Sequence, residues 1–228
     1  MEFLLDTIHL DDIKKYNAMI ALAGVTSNPT IVKKEGKVDF FNHMNAIRAI
    51  IGLDKTLHVQ AVGRSTEAIV QDAHTIRERI DDHVFVKVPT NAPGLAAMKI
   101  LKAEGFNVTA TAIYSEIQAR LAIEVGADYL APYFNRMVNM GLDAKQILGN
   151  IQATIDRQNS ASKILAASFH TVGQVNDAFE VGAAACTMGA DILGAALGNP
   201  AIEAAVDGFT KDWESLYGQG TTISSLAK

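Results

Sequence analysis

The feature that most constrains the fold of this chain is a repeated alternation of short apolar, β-rich segments with longer stretches of helical periodicity. There are eight such segments, so the 228 residues give about 28 per unit, the size of a strand, a helix and two loops. The segments cover residues 2–6, 22–26, 56–62, 84–88, 107–112, 128–133, 163–168 and 184–189. Because they are continuously apolar, they predict parallel strands covered by helices. We therefore expect an α/β protein, a closed (β/α)8 TIM barrel; an open doubly wound sheet is the alternative, but no GxGxxG follows the first strand.

The segments between the predicted strands read as amphipathic helices that end at glycine. One apolar face at helical spacing is formed by Ala68, Ile69, Ala73, Ile76 and Ile80. Gly126 and Gly182 each lie in the sequence EVGA, and the two copies are 56 residues apart, twice the unit length. Glycine adopts the left-handed conformation that ends a helix at little cost, so both copies predict a helix stop before a strand.

Composition favours one folded domain over residues 1–228. Hydrophobic residues make up 49% of the chain and charged residues 20%, enough apolar surface for a large core, and no linker-like run divides the sequence. One extra C-terminal helix is predicted over residues 199–217, outside the repeat, with the aromatic residues Phe209, Trp213 and Tyr217. This helix either caps its own barrel or docks on a neighbouring subunit, and the pattern leaves both open.

Charge and cysteine content restrict the partners and the compartment. The net charge of −5 and the scattered basic residues argue against a nucleic-acid surface or a membrane-binding patch. Cys186 is the only cysteine, which excludes an internal disulfide and fits a reducing compartment. The N-terminus lacks a basic region and a long apolar stretch, so a cytoplasmic protein is expected. The histidines lack metal-ligand spacing, and neither a metal nor a cofactor is expected.

Polar residues at the ends of the predicted strands are the candidates for chemistry. Lys87 is the sharpest, because VFVKVP places an ammonium group in a buried apolar strand, where desolvation lowers the pKa of the amine. A neutral amine can form a Schiff base with a carbonyl; the alternative is a lysine that reaches water or pairs with a carboxylate. Asp6 closes the first strand and either contacts substrate or caps the next helix. Gln60 either orients a water or is a satisfied core amide, and His58, one layer deeper, is expected to be a packed core histidine.

Further candidates follow the sixth and seventh strands. Tyr133 offers a phenolic proton and Arg136 a planar fork for phosphate oxygens, although a rim tyrosine and a surface-paired arginine are the ordinary alternatives. Ser168 precedes a helix start, where anions are favoured. No GxSxG elbow or P-loop occurs. The polar candidates at the ends of the predicted strands are thus Asp6, Thr26, Asn28, Gln60, Lys87, Thr111, Tyr133 and Ser168, with Arg136 following Tyr133.

Several motifs, in order along the chain, resemble the transaldolase-like family, and most closely its fructose-6-phosphate aldolase members. They are DT at 6–7, GVTSNPT at 24–30, VKVP, GLAA at 94–97, TATAIY at 109–114, APYFNR at 131–136 and LAASFHT at 165–171. The resemblance covers the chain from the first strand to the C-terminal helix. Glutamate and phenylalanine are expected in transaldolases where Gln60 and Tyr133 stand, so both positions follow the aldolases. His170 departs from the aldolase pattern, in which lysine is expected.

The resemblance implies roles for individual residues. Lys87 would be the Schiff-base lysine, and Asp6 and Asn28 would contact substrate hydroxyls or the amine. Thr111 would help to hold the catalytic water. Arg136 and Ser168 would bind the phosphate.

The implied activity is a metal-independent class I aldolase that reversibly cleaves fructose 6-phosphate to dihydroxyacetone and glyceraldehyde 3-phosphate. Two alternatives remain: a transaldolase that passes the dihydroxyacetone unit between sugar phosphates, and a non-catalytic barrel that binds sugar phosphates. The resemblance also implies a homo-oligomer in which the C-terminal helix reaches a neighbour, as in a decamer of two pentameric rings. Sugar phosphates would be the partners, with no nucleic acid and no membrane.

Overall fold

The computed structural model describes residues 1–227; Lys228, the last residue of the predicted domain, lies outside the described residues. Eight strands close into a barrel in chain order, each parallel to its neighbours, which confirms the predicted (β/α)8 fold. Every strand begins within one residue of its predicted segment. The strands are β1 (Glu2–Asp6), β2 (Leu22–Thr26), β3 (Thr56–Gln60), β4 (Phe85–Pro89), β5 (Asn107–Ile113), β6 (Tyr129–Pro132), β7 (Lys163–Ala166) and β8 (Ala185–Met188).

Helices follow the strands and cover the barrel. Ile69, Ala73 and Ile76 of the predicted apolar face are buried. Gly126 and Gly182 adopt φ angles of 80° and 100°, as expected for the glycines that end helices. The helices are α1 (Leu10–Met19), α2 (Pro29–Glu35), α3 (Phe40–Ile51), α4 (Thr66–Arg79), α5 (Ala92–Ala103), α6 (Glu116–Glu124), α7 (Phe134–Asn139), α8 (Ala144–Gln158), α9 (Val172–Glu180), α10 (Ala190–Leu197), α11 (Pro200–Tyr217) and a 3-10 turn (Ile223–Leu226).

The barrel interior is apolar at one end and polar towards the other. Near the N-terminal ends of the strands, an apolar cluster is formed by Leu4, Tyr129, Leu165 and Ala185. One layer further, the His58 ring on β3 lies 2.8 Å from the Thr109 hydroxyl on β5, a contact that crosses the barrel interior. His58 is fully buried and stacks on Phe85, so its prediction as a packed core histidine is confirmed. The register then places Lys87 beside Gln60 and Thr109, which brings polar side chains together at the C-terminal ends of the strands.

Residues up to Ile192 form one compact unit, and those from Leu193 onward form a second. Helix α11 of the second unit lies within the predicted range of 199–217. The side chain of Asn199 accepts a hydrogen bond from the Ala201 N–H and caps the start of this helix. Phe209 is 72% exposed and Leu216 is 78% exposed. None of the helices within residues 1–227 combines the length and apolarity needed to cross a membrane.

Candidate active site

A cavity of about 350 Å³ lies at the C-terminal ends of the barrel strands. Strand ends and the segments that follow them build it, as expected for this fold. It is lined by six of the nine predicted site residues, Asp6, Asn28, Lys87, Tyr133, Arg136 and Ser168. The structure therefore brings together residues that lie up to 162 positions apart in the sequence, from Asp6 to Ser168.

Lys87 lies in the middle of β4 and is only 2% exposed. Burial lowers the pKa of its amine, because desolvation penalises the ammonium form, while the charge of Asp6 opposes this shift. No carboxylate within residues 1–227 lies within 4.0 Å of this amine, and the low exposure excludes a side chain that extends into water. Among the described residues Lys87 is therefore neither ion-paired nor extended into water, and burial destabilises its ammonium form.

Asp6 is held by a short chain of hydroxyl groups. Thr26 Oγ1 donates a hydrogen bond to Asp6 Oδ1 at 2.5 Å, and it lies 2.6 Å from the hydroxyl of Thr187 on β8. Burial raises the pKa of the Asp6 carboxyl, opposed by the charge of Lys87 and by the Thr26 hydrogen bond. The N-cap position of α1 belongs to His9, so the alternative reading of Asp6 as a helix cap is wrong.

Tyr133 is placed between a hydroxyl group and a guanidinium group. Its phenolic oxygen lies 2.9 Å from Thr111 Oγ1, and the guanidinium carbon of Arg136 lies 4.7 Å from the centre of its ring. Burial raises the pKa of the phenol, while the Thr111 hydrogen bond and the Arg136 charge oppose the shift. Tyr133 therefore carries its proton at neutral pH and can donate it to a nearby atom.

The other two cavity residues are fixed by the backbone around them. The Asn28 side-chain oxygen caps α2 by accepting hydrogen bonds from the N–H groups of Thr30 and Ile31, which leaves its amide nitrogen to donate elsewhere. Ser168 follows β7 with a φ of 63°, an uncommon left-handed conformation for a residue other than glycine. The Asn135 N–H donates to the Ser168 carbonyl at 2.8 Å and holds this turn against α7.

Three predicted residues do not line this cavity. Thr26 and Thr111 lie behind it, where they contact Asp6 and Tyr133. Gln60 is the register neighbour of Lys87, but it lines a different cavity of about 490 Å³ together with Asn28. Its Oε1 atom is buried and has no hydrogen-bond partner in the described part of the chain. This oxygen is therefore able to accept a hydrogen bond from a water or a ligand.

The cavity also contains residues to which the sequence analysis gave no role. Lys34 and Asp191 line it, as does His170, which the motif comparison had singled out. Lys34 is the second lysine of an exposed pair in α2, and a pair of lysines normally indicates a solvated helix face. Only the way α2 packs decides which of the two faces the cavity. The local sequence carries no signal for it.

Among residues 1–227, no three side chains of His, Cys, Asp or Glu come together in a way that could hold a metal ion. What the arrangement offers is a buried amine, a carboxyl group, a phenol and a guanidinium group around one cavity.

Comparison with known proteins places this chain in a family. The family model described as "Transaldolase/Fructose-6-phosphate aldolase" matches residues 3–220. A relative from Streptococcus pneumoniae (strain ATCC 700669 / Spain 23F-1), named "Probable fructose-6-phosphate aldolase", is 53% identical over 213 residues. The alignment covers 93% of this chain and 96% of the relative. The resemblance inferred from the motifs is thus confirmed, and the chain belongs to the transaldolase/fructose-6-phosphate aldolase family.

Proposed function

We propose that this protein is a class I aldolase that reversibly cleaves fructose 6-phosphate to dihydroxyacetone and glyceraldehyde 3-phosphate. The family supports an enzyme of the aldolase or transaldolase type. The observation that carries the Schiff-base mechanism is the amine of Lys87, which is 2% exposed and lines a cavity that also contains Asp6 and Tyr133. A lowered pKa increases the fraction of the amine that is neutral and therefore nucleophilic.

The reaction begins when the neutral Lys87 amine attacks the C2 ketone to form a carbinolamine, which takes up one proton and loses water to give an iminium. A base then removes the proton of the C4 hydroxyl, the C3–C4 bond breaks, and its electron pair moves into the iminium to give an enamine. Glyceraldehyde 3-phosphate leaves at this point. Protonation of the enamine at C3 restores the iminium, and water hydrolyses it to free dihydroxyacetone and the amine. The iminium nitrogen is the electron sink, so this route proceeds without a metal.

The surrounding side chains fit the proton transfers. Tyr133 keeps its proton at neutral pH because burial raises the pKa of its phenol, and it supplies that proton to the enamine. The Thr111 hydroxyl lies 2.9 Å from the phenolic oxygen of Tyr133. Thr111 orients this phenol and also helps to hold the catalytic water. The Oε1 atom of Gln60 accepts a hydrogen bond from a water and so orients it close to Lys87, the residue that pairs with Gln60 on the neighbouring strand. Asp6, oriented by Thr26, contacts a substrate hydroxyl or the amine.

We assign the phosphate group of the substrate to Arg136 and Ser168. Arg136 brings a permanent charge and Ser168 a hydroxyl group, and both line the cavity that contains Lys87. Asn28 complements them with an amide nitrogen for a sugar hydroxyl.

The decisive experiment compares cleavage of fructose 6-phosphate with and without erythrose 4-phosphate. A lyase releases dihydroxyacetone in both cases, whereas a transaldolase needs the acceptor. A protein that binds sugar phosphates but does neither would be the non-catalytic alternative. Borohydride reduction with dihydroxyacetone should leave a mass adduct on the peptide that contains Lys87; full activity in Lys87→Met, or an adduct elsewhere, would contradict the mechanism. Lys33→Met, a change at an exposed lysine outside the cavity, is the control.

We also propose that the protein is a homo-oligomer in the cytoplasm, formed through α11, with the decamer of two pentameric rings as the specific assembly. The apolar residues on α11 support this, since Phe209 is 72% exposed. The free thiol of the buried Cys186 is consistent with a reducing compartment. Light scattering on the full chain should give a mass well above 24.4 kDa, and Phe209→Ser should lower it. A monomeric wild-type protein would contradict the assembly.

A further inference from the structure

Arg136 is oriented by two tyrosines. Its Nη1 donates a hydrogen bond to the hydroxyl oxygen of Tyr114 at 3.1 Å, the one hydrogen bond that this side chain makes within residues 1–227. Its guanidinium carbon also lies 4.7 Å from the centre of the Tyr133 ring. An exposed arginine on a flexible stem otherwise samples many rotamers, and ordering it for a ligand costs conformational entropy. These two contacts fix the guanidinium before a ligand arrives and leave its other N–H groups free to donate.

Tyr114 is itself held in place by contacts with neighbouring residues. It does not line the cavity, and its backbone N–H donates to Gln118 Oε1 at 3.0 Å. The Gln118 amide in turn donates to the carbonyl of Thr90 at 3.1 Å. The rings of Tyr114 and Tyr133 meet edge to face, with 5.5 Å between their centres and an angle of 80°. Tyr114 therefore joins the Arg136 side chain to the rigid end of β5.

An irregularity in β5 brings Tyr114 to this place. Ala110 pairs with Leu130, but Ile113 pairs with Pro132, so β5 contains one more residue than β6 over the same span. Ala112, in this extra span, has a φ of 57°, a left-handed conformation that is strained for alanine. In a regular ladder, Ile113 would lie beside Tyr133. The extra residue advances the chain by one position and places Tyr114 there instead.

We propose that Tyr114 is a positioning residue for the phosphate group of the substrate, acting through Arg136. The hydroxyl of Tyr114 fixes the guanidinium fork, and the strained turn at Ala112 is retained because it delivers that hydroxyl. This inference rests on the proposed function, in which Arg136 binds the phosphate. Tyr114 does not line the cavity that contains Lys87, so its effect should be confined to ligands that carry a phosphate.

Tyr114→Phe is the informative substitution, since it removes the hydroxyl and keeps the ring against Tyr133. In the synthesis direction, with dihydroxyacetone as the donor, we expect the KM for glyceraldehyde 3-phosphate to rise roughly three- to tenfold. We expect kcat and the KM for unphosphorylated glyceraldehyde to stay within about twofold of wild type. Tyr129→Phe is the matched control. It removes another tyrosine hydroxyl, hydrogen-bonded to Glu2 at the opposite end of the barrel, and should change both aldehydes equally.

A second measurement separates this inference from the proposed reaction. Titration calorimetry of the wild-type and Tyr114→Phe proteins with glyceraldehyde 3-phosphate, in the absence of a donor, should show the same three- to tenfold weakening. If the wild-type protein cleaves no fructose 6-phosphate, the proposed function fails, while weaker binding in Tyr114→Phe still supports the role of Tyr114. Equal binding by the two proteins overturns the inference, as does an equal rise in KM for both aldehydes.

Discussion

Replacement of Arg136 tests whether the guanidinium group confers specificity for phosphorylated aldehydes. Arg136 is exposed, and one of its N–H groups is already bonded to Tyr114. The remaining N–H groups can form a bidentate pair with phosphate oxygens, and a hydrogen bond to a charged group contributes about 1.5–3 kcal/mol. Because solvent screens an exposed guanidinium, we count one such bond and not two. Arg136→Gln should therefore lower kcat/KM for glyceraldehyde 3-phosphate roughly ten- to hundredfold, since about 1.4 kcal/mol corresponds to a factor of ten.

The assay measures aldol addition of dihydroxyacetone to glyceraldehyde 3-phosphate and to glyceraldehyde. The unphosphorylated aldehyde should lose much less than tenfold, since it makes no bond to the guanidinium. Arg136→Lys keeps the charge without the planar fork, so its kcat/KM for glyceraldehyde 3-phosphate should lie between those of the wild type and Arg136→Gln. Arg64→Gln removes an exposed arginine that follows β3 and does not line the cavity of Lys87, so it should leave the ratio of the two aldehydes unchanged. Equal losses for both aldehydes in Arg136→Gln would remove Arg136 from the phosphate site.

Three further predictions concern residues in and beside the cavity of Lys87. Tyr133→Phe should slow the release of dihydroxyacetone more than it weakens substrate binding, and adding Gln60→Glu should raise the ratio of transfer to cleavage with erythrose 4-phosphate; unchanged cleavage in Tyr133→Phe would refute this. Lys34→Gln should weaken binding of glyceraldehyde 3-phosphate more at low than at high salt, since Lys34 lines the cavity, whereas Lys33→Gln should not. The charge of Asp6 raises the Lys87 pKa, so Asp6→Asn should lower that pKa further. Cyanoborohydride trapping of the dihydroxyacetone imine should then extend to lower pH, and a midpoint shifted to higher pH would contradict this.

The sequence predicts most of the barrel because its signals are local. Each strand is a continuous apolar run, and the first residue of every predicted run lies within one residue of the start of the observed strand. The ends of the strands are less predictable. The predicted third strand extends to residue 62, but β3 ends at Gln60: the Ala61 N–H still donates to the Lys87 carbonyl of β4, whereas the Val62 N–H donates to the Asp72 carboxylate instead of to the sheet. Apolar pattern alone does not report where the ladder ends.

Individual site residues were predicted where a polar side chain interrupts a buried strand, as Lys87 does in VFVKV. The contacts among them could not be predicted in the same way. Tyr114 reaches Arg136 only because β5 gains one residue relative to β6, and the alanine at position 112 carries no signal of a left-handed backbone. The Thr26–Thr187 contact likewise joins β2 to β8 across 161 positions. Such contacts depend on register and barrel closure, which follow from the whole fold.

The polar interior of the barrel explains how one environment serves both the neutral amine that attacks the ketone and the cationic iminium that follows. Burial raises the pKa of the Asp6 carboxyl and lowers the pKa of the Lys87 amine, so it drives both groups towards their neutral forms. Their mutual attraction acts in the opposite direction, so the energy gap between the ionised and neutral pair is reduced.

A small gap between these forms is what a Schiff-base enzyme needs, because the same nitrogen must be a neutral nucleophile before attack and a cation in the iminium. Hydroxyl groups around the pair can serve both states, since Thr26 donates a hydrogen bond to the Asp6 carboxylate and can rotate to accept a hydrogen bond from the neutral acid. The fully buried His58, one layer below, has a pKa held well below its usual range by burial and stays neutral, so it adds no fixed charge beneath the amine. A wholly apolar interior would hold the amine neutral and oppose iminium formation, and a negatively charged one would keep the amine protonated. Neutral hydroxyl groups, such as those of Thr26 and Thr187 beside Asp6, avoid both extremes.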